Sequence, residues 1–352
     1  MLCWFYPGAG RSSVVYLFSL AVSIVVAWLI CRDNSILSVK DEPDERSLHS
    51  RPTPRLGGLA ILAGSAAGWS WLVYQNGLPE VFIYISGAAL LVAVISLADD
   101  FLTLSQAGRF VVHLLASAAV IYATVYAAAG IGMLLFYLIA TLWLINLYNF
   151  MDGMDGFSGG MAAIGFAALA VAAQFSQKLV MAEFMAVIAV AACGFLLFNF
   201  PPARMFMGDV GSATIGFLVA AFSLWGVRDA VFPIWLPLLV FSPFIVDASL
   251  TILRRAINRE KIWLPHRKHF YQRLVLNGWS HRRTVLCEYV LMLACAGSAL
   301  LMQRYDLAVP GLAVWAVIYS LLAILVERKV RDKIPFCKEK EKNNPQSPTG
   351  CG

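Results

Sequence analysis

The stretch Asn146-Leu-Tyr-Asn149-Phe-Met-Asp152-Gly153-Met-Asp155-Gly156 sets two carboxylates and two carboxamides at the end of an apolar run, Leu134 to Leu147. Polar groups at membrane depth are costly and mark function by default. If the segment is helical, Asp152 and Asp155 share one face, one turn apart. Gly153 and Gly156 leave room for a ligand or a close backbone. Oxygen donors grouped in this way suit a hard cation such as Mg2+ with its phosphates. The plainer alternative is a hairpin in which Asn and Asp only cap the next helix.

Four further clusters carry polar chemistry. In His49-Ser-Arg51-Pro52-Thr-Pro54-Arg55-Leu-Gly57-Gly58 the prolines stiffen the approach to an apolar run, and the glycines permit close helix packing or phosphate contact. Arg55 is the candidate phosphate ligand there; a basic anchor at a membrane surface is the alternative. Asp99-Asp100 ends another apolar run. Adjacent carboxylates repel and raise one pKa, so either could accept a proton or help hold a metal. As plain helix-end residues they gain nothing, because a helix C-terminus prefers cations. In Phe206-Met-Gly208-Asp209-Val-Gly211-Ser212, Asp209 stands between glycines at the start of a run, where backbone N–H groups favour a bound phosphate; capping that helix is the structural alternative. Pro265-His266-Arg267-Lys268-His269-Phe-Tyr271-Gln272-Arg273 is a basic loop whose two histidines share a face if it is helical. It suits phosphate binding, and lacks the further ligands a zinc site needs. His113 and Asp247, inside apolar runs, read as structural before catalytic.

The elements that position these groups are membrane spans. The chain has 352 residues, 60% hydrophobic and only 14% charged, against about 25% charged in soluble domains. Apolar runs of crossing length fall near 14–31, 57–75, 81–98, 110–128, 131–148, 157–175, 179–198, 211–227, 231–253, 285–303 and 309–326. The expected fold is therefore all-α and polytopic, with about eleven transmembrane helices. The first run lacks a small-residue cleavage site and reads as a retained span rather than a signal peptide. Seven scattered cysteines form no disulfide framework and no metal spacing.

Eleven spans divide the remaining segments into two sets. One set, around 32–56, 99–109, 149–156, 199–210, 254–284 and 327–352, holds 23 of the 27 Lys and Arg residues. By the positive-inside rule that set is cytoplasmic, with the N-terminus outside and the C-terminus inside. The net charge of +6 follows the membrane and does not indicate nucleic-acid binding. Residues 1–327 read as one transmembrane domain, and 328–352 as a basic tail that is disordered or lies on the anionic leaflet. All five polar clusters fall on the cytoplasmic side, and those at Asp99-Asp100, Asn146–Gly156 and Phe206–Ser212 carry no Lys or Arg, so they do not enter that count.

Taken together and in order, Pro52-Thr-Pro-Arg-Leu-Gly-Gly58, Asp99-Asp100, Asn146-x-x-Asn149-x-x-Asp152-Gly-x-Asp155-Gly, Phe206-Met-Gly-Asp209-x-Gly-Ser212 and His266-x-x-His269 resemble the polyprenyl-phosphate N-acetylhexosamine-1-phosphate transferase superfamily (glycosyltransferase family 4). The resemblance covers about residues 49 to 274. It implies that undecaprenyl phosphate attacks the β-phosphorus of a UDP-N-acetylhexosamine, releasing UMP. It implies Mg2+, with Mn2+ the second choice, on Asn149 and Asp209. It implies catalytic roles for Asp99, Asp100 and Asp152, and substrate binding by Arg55, Asn146, Asp155, His266, Arg267 and His269. The partners it implies are undecaprenyl phosphate, the UDP-sugar and the bilayer, at the inner membrane of a bacterium with the active site on the cytoplasmic face; a homodimer is compatible with it.

The histidine loop departs from the family's consecutive or alternating histidines, and Arg-Pro-Thr-Pro-Arg stands where the muramoyl-pentapeptide branch usually has Gly-Thr-Pro-Thr. These features are more like the branch that initiates O-antigen and related surface polysaccharides, with the phospho-N-acetylmuramoyl-pentapeptide transferase reaction second. A transporter or lipid flippase is the competing class. Transporters, however, place charges near the midplane and often repeat their halves, whereas here the charges gather at one surface and no repeat is visible.

Overall fold

The computed structural model describes residues 9–32, 39–41, 52–102, 104–261 and 266–331. His49, Ser50, Arg51, Pro265 and most of the expected tail lie outside the described residues. In chain order the elements are α1 (Ala9–Ile30), β1 (Lys40–Asp41), β2 (Thr53–Pro54), α2 (Gly58–Asn76), α3 (Glu80–Leu102), α4 (Gln106–Thr124), α5 (Ile131–Met151), α6 (Phe157–Phe175), α7 (Leu179–Asn199), α8 (Gly208–Arg228), α9 (Trp235–Val240), α10 (Ser242–Ile257), α11 (Phe270–Leu276), α12 (His281–Tyr305) and α13 (Ala308–Arg331).

The protein is a multi-span, helical membrane protein. All eleven expected runs are helical, and nine helices among the described residues are long and apolar enough to cross a membrane. The two exceptions have physical reasons. Helix α2 carries three glycines and two serines in its 19 residues, so it is helical but less apolar. The run 231–253 is not one helix: it breaks into α9 and α10 at Phe241. Pro243 has no N–H to offer the carbonyl of Leu239, four residues back. The Ser242 hydroxyl donates to that carbonyl instead, at 2.6 Å. A freed backbone acceptor at membrane depth is thus satisfied locally.

Helix α8 is the post of the bundle. Its span is 94% buried, against 6% for α13 at the periphery. Helices α3 and α5 pack along it, while α6 with α7 and α1 with α2 form close pairs beside it. Small residues allow these approaches: a β-carbon on Gly216 of α8 would lie 2.6 Å from the Leu144 carbonyl oxygen of α5. Polar side chains satisfied across the interfaces fix the register. Ser23 Oγ of α1 donates to Ala191 O of α7 at 2.7 Å, and Trp69 Nε1 of α2 donates to Phe184 O of α7 at 2.9 Å. The C-terminal helix is tied by charge: Glu327 accepts from Arg254 of α10 and from Arg273 of α11. Helix α13 runs on to Arg331, so the expected tail begins later than residue 328.

Candidate active site

Backbone pairing builds one wall of the site. Strand β1 pairs antiparallel with β2, Lys40 opposite Pro54 and Asp41 opposite Thr53. The segment after β2 is then stapled to the start of α8. Phe206 N donates to Pro54 O at 2.7 Å, Gly57 N to Phe206 O at 2.8 Å and Gly58 N to Met207 O at 2.8 Å. The glycines make this possible. A β-carbon on Gly58 would sit 2.2 Å from Gly211 Cα, and one on Gly208 would sit 1.9 Å from Arg55 O. Gly208 also has φ +70°, a conformation L-residues rarely adopt. Of the two readings open for Gly57 and Gly58, the structure shows close packing: they bring Arg55 against the head of α8.

Where these pieces meet lies a cavity of about 260 Å3 lined by Asp41, Arg55, Asp100, Asn149, Asp152, Asp155 and Asp209, together with Gln272 and His281. It brings together residues from all five sequence clusters, the basic loop contributing Gln272. Five carboxylates face a single guanidinium, Arg55, with His281 beside them.

Asp99 and Asp100 take different directions from the end of α3. Asp100, with a side chain 5% exposed, lines the cavity. Arg55 donates to its main-chain carbonyl and places Nε 3.6 Å from Oδ1. Asp100 Oδ2 is buried with no hydrogen-bond partner among the described residues. Asp99 is not a lining residue; it accepts from Leu104 N at 2.7 Å and from the Arg109 guanidinium. Arg109 also lies 3.5 Å from Asp209 Oδ2. Arg109 carries no distinctive signal in the sequence, because one arginine at the start of an apolar run looks like any other interfacial anchor.

The premise that Asp152 and Asp155 share a helical face fails. Helix α5 ends at Met151, Asp152 is its C-cap, and residues 152–156 form a turn that closes with Gly156 at φ +74°. The turn nevertheless delivers both carboxylates to the cavity. Asp155 Oδ2 accepts from Ala203 N at 3.1 Å and lies 3.5 Å from His281 Nδ1. Gly156 N donates to Asn199 Oδ1 at 2.9 Å, which ties the turn to the end of α7. Burial pushes the Asp152 carboxyl well above the ordinary carboxylate range, and the nearby Asp209 carboxylate adds to the effect.

Asn149 lines the cavity and accepts from Ser212 Oγ at 3.1 Å. Asn146, one turn earlier, does not reach it: it is exposed, and its amide turns back to Leu142 O at 2.8 Å. Asp209 lies inside the first turn of α8, after Met207 as N-cap, so it does not cap its own helix.

The basic loop is also arranged differently from the expectation. Helix α11 begins at Phe270, so His266 and His269 precede it and share no helical face. Their rings lie 4.9 Å apart, and neither lines the cavity, nor does Arg267. His269 is 2% exposed with Nδ1 3.2 Å from Asp247 Oδ1. Burial, with His269, Arg255 and Lys268 nearby, lowers the His266 pKa to about 4. From this loop the cavity receives Gln272 instead, and His281 from the start of α12.

No three His, Cys, Asp or Glu side chains among the described residues converge as a metal cluster. The donors present are nonetheless hard oxygens: the Asp209 carboxylate, the Asn149 carboxamide and the unpartnered Asp100 Oδ2. Few protein ligands of this kind fit Mg2+, which keeps waters or takes substrate phosphates for its remaining positions.

The polar motifs of a multi-span membrane bundle thus meet in one acidic cavity. The profile of glycosyl transferase family 4 matches residues 82–227. A Bacillus subtilis protein named "Probable undecaprenyl-phosphate N-acetylglucosaminyl 1-phosphate transferase" is 28% identical, covering 95% of this chain and 98% of its own. A decaprenyl-phosphate N-acetylglucosaminephosphotransferase of Mycolicibacterium smegmatis is 31% identical, covering 80% of this chain and 81% of its own. A phospho-N-acetylmuramoyl-pentapeptide-transferase of Listeria monocytogenes is 34% identical over 43% of this chain and 47% of its own. The chain belongs to the polyprenyl-phosphate N-acetylhexosamine-1-phosphate transferase family and is a sugar-phosphate transferase.

Proposed function

We propose that the protein transfers N-acetylglucosamine 1-phosphate, or a closely related N-acetylhexosamine 1-phosphate, from its UDP-sugar to undecaprenyl phosphate. An oxygen of the lipid phosphate bonds to the β-phosphorus, the bond from that phosphorus to the UMP oxygen breaks, and undecaprenyl-diphosphate sugar and UMP result. The product starts an O-antigen or related surface polysaccharide at the cytoplasmic face of the bacterial inner membrane. The sugar follows the names of two relatives that match 95% and 80% of the chain, against 43% for the muramoyl-pentapeptide enzyme.

The observation that carries this reading is the charge of the cavity. A diphosphate and a lipid phosphate entering a cavity lined by Asp41, Asp100, Asp155 and Asp209 would meet like charge that a cation entering with them relieves. Asp209 and Asn149 would hold Mg2+ or Mn2+. Bound there, the ion would neutralise phosphate oxygens and the charge developing on the leaving UMP. Arg55 meets a phosphate oxygen. Asp100, buried beside it, takes the remaining proton of the lipid phosphate. Asp152 and Asp155 bound the space for the sugar nucleotide. Positioning and charge neutralisation supply most of such catalysis.

Purified, detergent-solubilised protein would be given undecaprenyl phosphate, Mg2+ and a panel of UDP-N-acetyl sugars, and UMP release measured. The expected result is UMP that requires both lipid phosphate and Mg2+, is fastest with UDP-N-acetylglucosamine, and is absent from Asp209→Ala. Folded wild-type protein that releases no UMP with any of these sugars overturns the proposal.

A further inference from the structure

Asp247 sits on α10, outside the cavity, 7% exposed and among apolar helices. A carboxylate buried there is costly unless it is fully hydrogen-bonded. Its partners are specific. Oδ1 accepts from Phe270 N at 2.9 Å and from Thr251 Oγ1 at 3.2 Å, and lies 3.2 Å from His269 Nδ1. Oδ2 accepts from Tyr271 N at 3.2 Å. The first N–H groups of a helix have no partner within it. For α11, two of them are satisfied by an anion reaching over from another helix.

What α11 then carries connects this contact to the site. Tyr271, fully buried, packs on Phe157 with ring centroids 4.8 Å apart, and its hydroxyl reaches the Phe150 carbonyl at 3.5 Å. It stands against Gly153, where a β-carbon would lie 2.4 Å from the Tyr271 hydroxyl. Gln272, the next residue, is 8% exposed, accepts from His269 N at 3.3 Å and lines the cavity. Helix α11 has only seven residues. Such a helix is marginal on its own, so its direction depends on what holds its first turn.

We infer that Asp247 is a positioning residue for the transferase site: by capping α11 from α10 it fixes Gln272 at the cavity wall, where Gln272 contacts the polar part of the sugar nucleotide. The inference rests on the proposed sugar-nucleotide reaction for its kinetic consequence, but not for its structural one. It gives a role to the carboxylate that the interrupted span carries six residues after Phe241. Asp247 is the point at which α10 grips the start of α11.

The test has a structural arm and a kinetic arm, both on the full chain in detergent. Asp247→Asn keeps the side-chain shape but loses the anion and one acceptor. Hydrogen exchange should speed up in the peptide spanning 269–276 and stay unchanged in α8. The KM for the UDP-sugar should rise about tenfold, the size of a lost hydrogen bond to a charged group, while the KM for the lipid phosphate and the melting temperature hold. Gln272→Ala should give a similar KM, and the double variant should be no worse than the weaker single by more than about twofold, because both changes remove one interaction. Unchanged exchange at 269–276, or fully additive losses, would overturn the inference. If Asp247→Asn yields no folded protein, Thr251→Val, which removes a single donor to Oδ1, should show the same exchange pattern at smaller size; no change there would also overturn it. If the wild type turns over no sugar nucleotide, the proposed reaction falls and the exchange arm alone decides the positioning of α11.

Discussion

The guanidinium of Arg109 lies 3.5 Å from the Asp209 carboxylate while it holds Asp99, so the start of α4, the end of α3 and the head of α8 are joined through one side chain. Arg109 holds a net positive charge against two carboxylates at the edge of an acidic cavity. Arg109→Gln should lower UMP release at saturating substrates at least tenfold, or about 1.4 kcal/mol in the barrier. Arg109→Lys, which keeps the charge but loses the planar fork, should lie between the two. Initial rates for the three proteins decide this, and equal rates would remove Arg109 from the site.

Mg2+ binding at Asp209 should be visible without catalysis. Adding Mg2+ should raise the melting temperature of the wild type, because a ligand of the folded state stabilises it. The same addition should leave Asp209→Ala unmoved. Chelation with EDTA should abolish turnover, and Mg2+ should restore it.

Asn146 and Asn149 stand one turn apart on α5, but only Asn149 reaches the cavity. Asn149→Ala should cost at least tenfold in turnover, while Asn146→Ala should stay within about twofold, as surface changes usually do. Equal losses would mean that α5 turns its end differently from the structure described.

Gly58 faces Gly211 with no room for a side chain. Gly58→Ala should force α2 from α8 and destabilise by about 1–3 kcal/mol, the usual range for overpacking. The check is the melting temperature in detergent together with folded yield; an unchanged midpoint would contradict the packing.

His266 supplies a pH test. Its folded pKa is about 4, below the roughly 6.5 of an unperturbed histidine. A base with a depressed folded pKa contributes stability that is present above the unfolded pKa and lost as pH falls through the folded one. The melting temperature should therefore decline between about pH 6.5 and 4, and His266→Gln should decline less over the same window. Parallel curves for the two proteins would rule His266 out as a source of acid sensitivity.

Much of this architecture was legible in the residues. Apolar runs located the long helices because length and lipid leave the backbone no other option, while the short α11 lay in the basic loop and gave no such signal. The carboxylate motifs could be grouped because the Lys and Arg distribution put them at one end of the bundle. What stayed hidden was tertiary in origin. Asn146 looked equivalent to Asn149 until the amide was seen turned to Leu142. Asp99 and Asp100 looked like a pair until Arg109 drew one away. The histidines of the basic loop looked like ligands, but the helix that matters starts one residue after them and presents Gln272. The break at Phe241 could have been suspected from Pro237 and Pro243, yet kinked and broken helices share that signal.

The post of the bundle ends in the charge centre. Asp209 belongs to the first turn of α8, whose span is the most enclosed of the candidate spans, whereas Gln272 rides on seven residues and α13 beyond it is almost wholly uncovered. The site is therefore stiff on one side and soft on the other. Amide hydrogens of α8 should be the slowest in the protein to exchange and those of α11 among the faster. If the proposed sugar nucleotide displaces either wall, it is the one that Asp247 holds by four contacts, not the one built on α8.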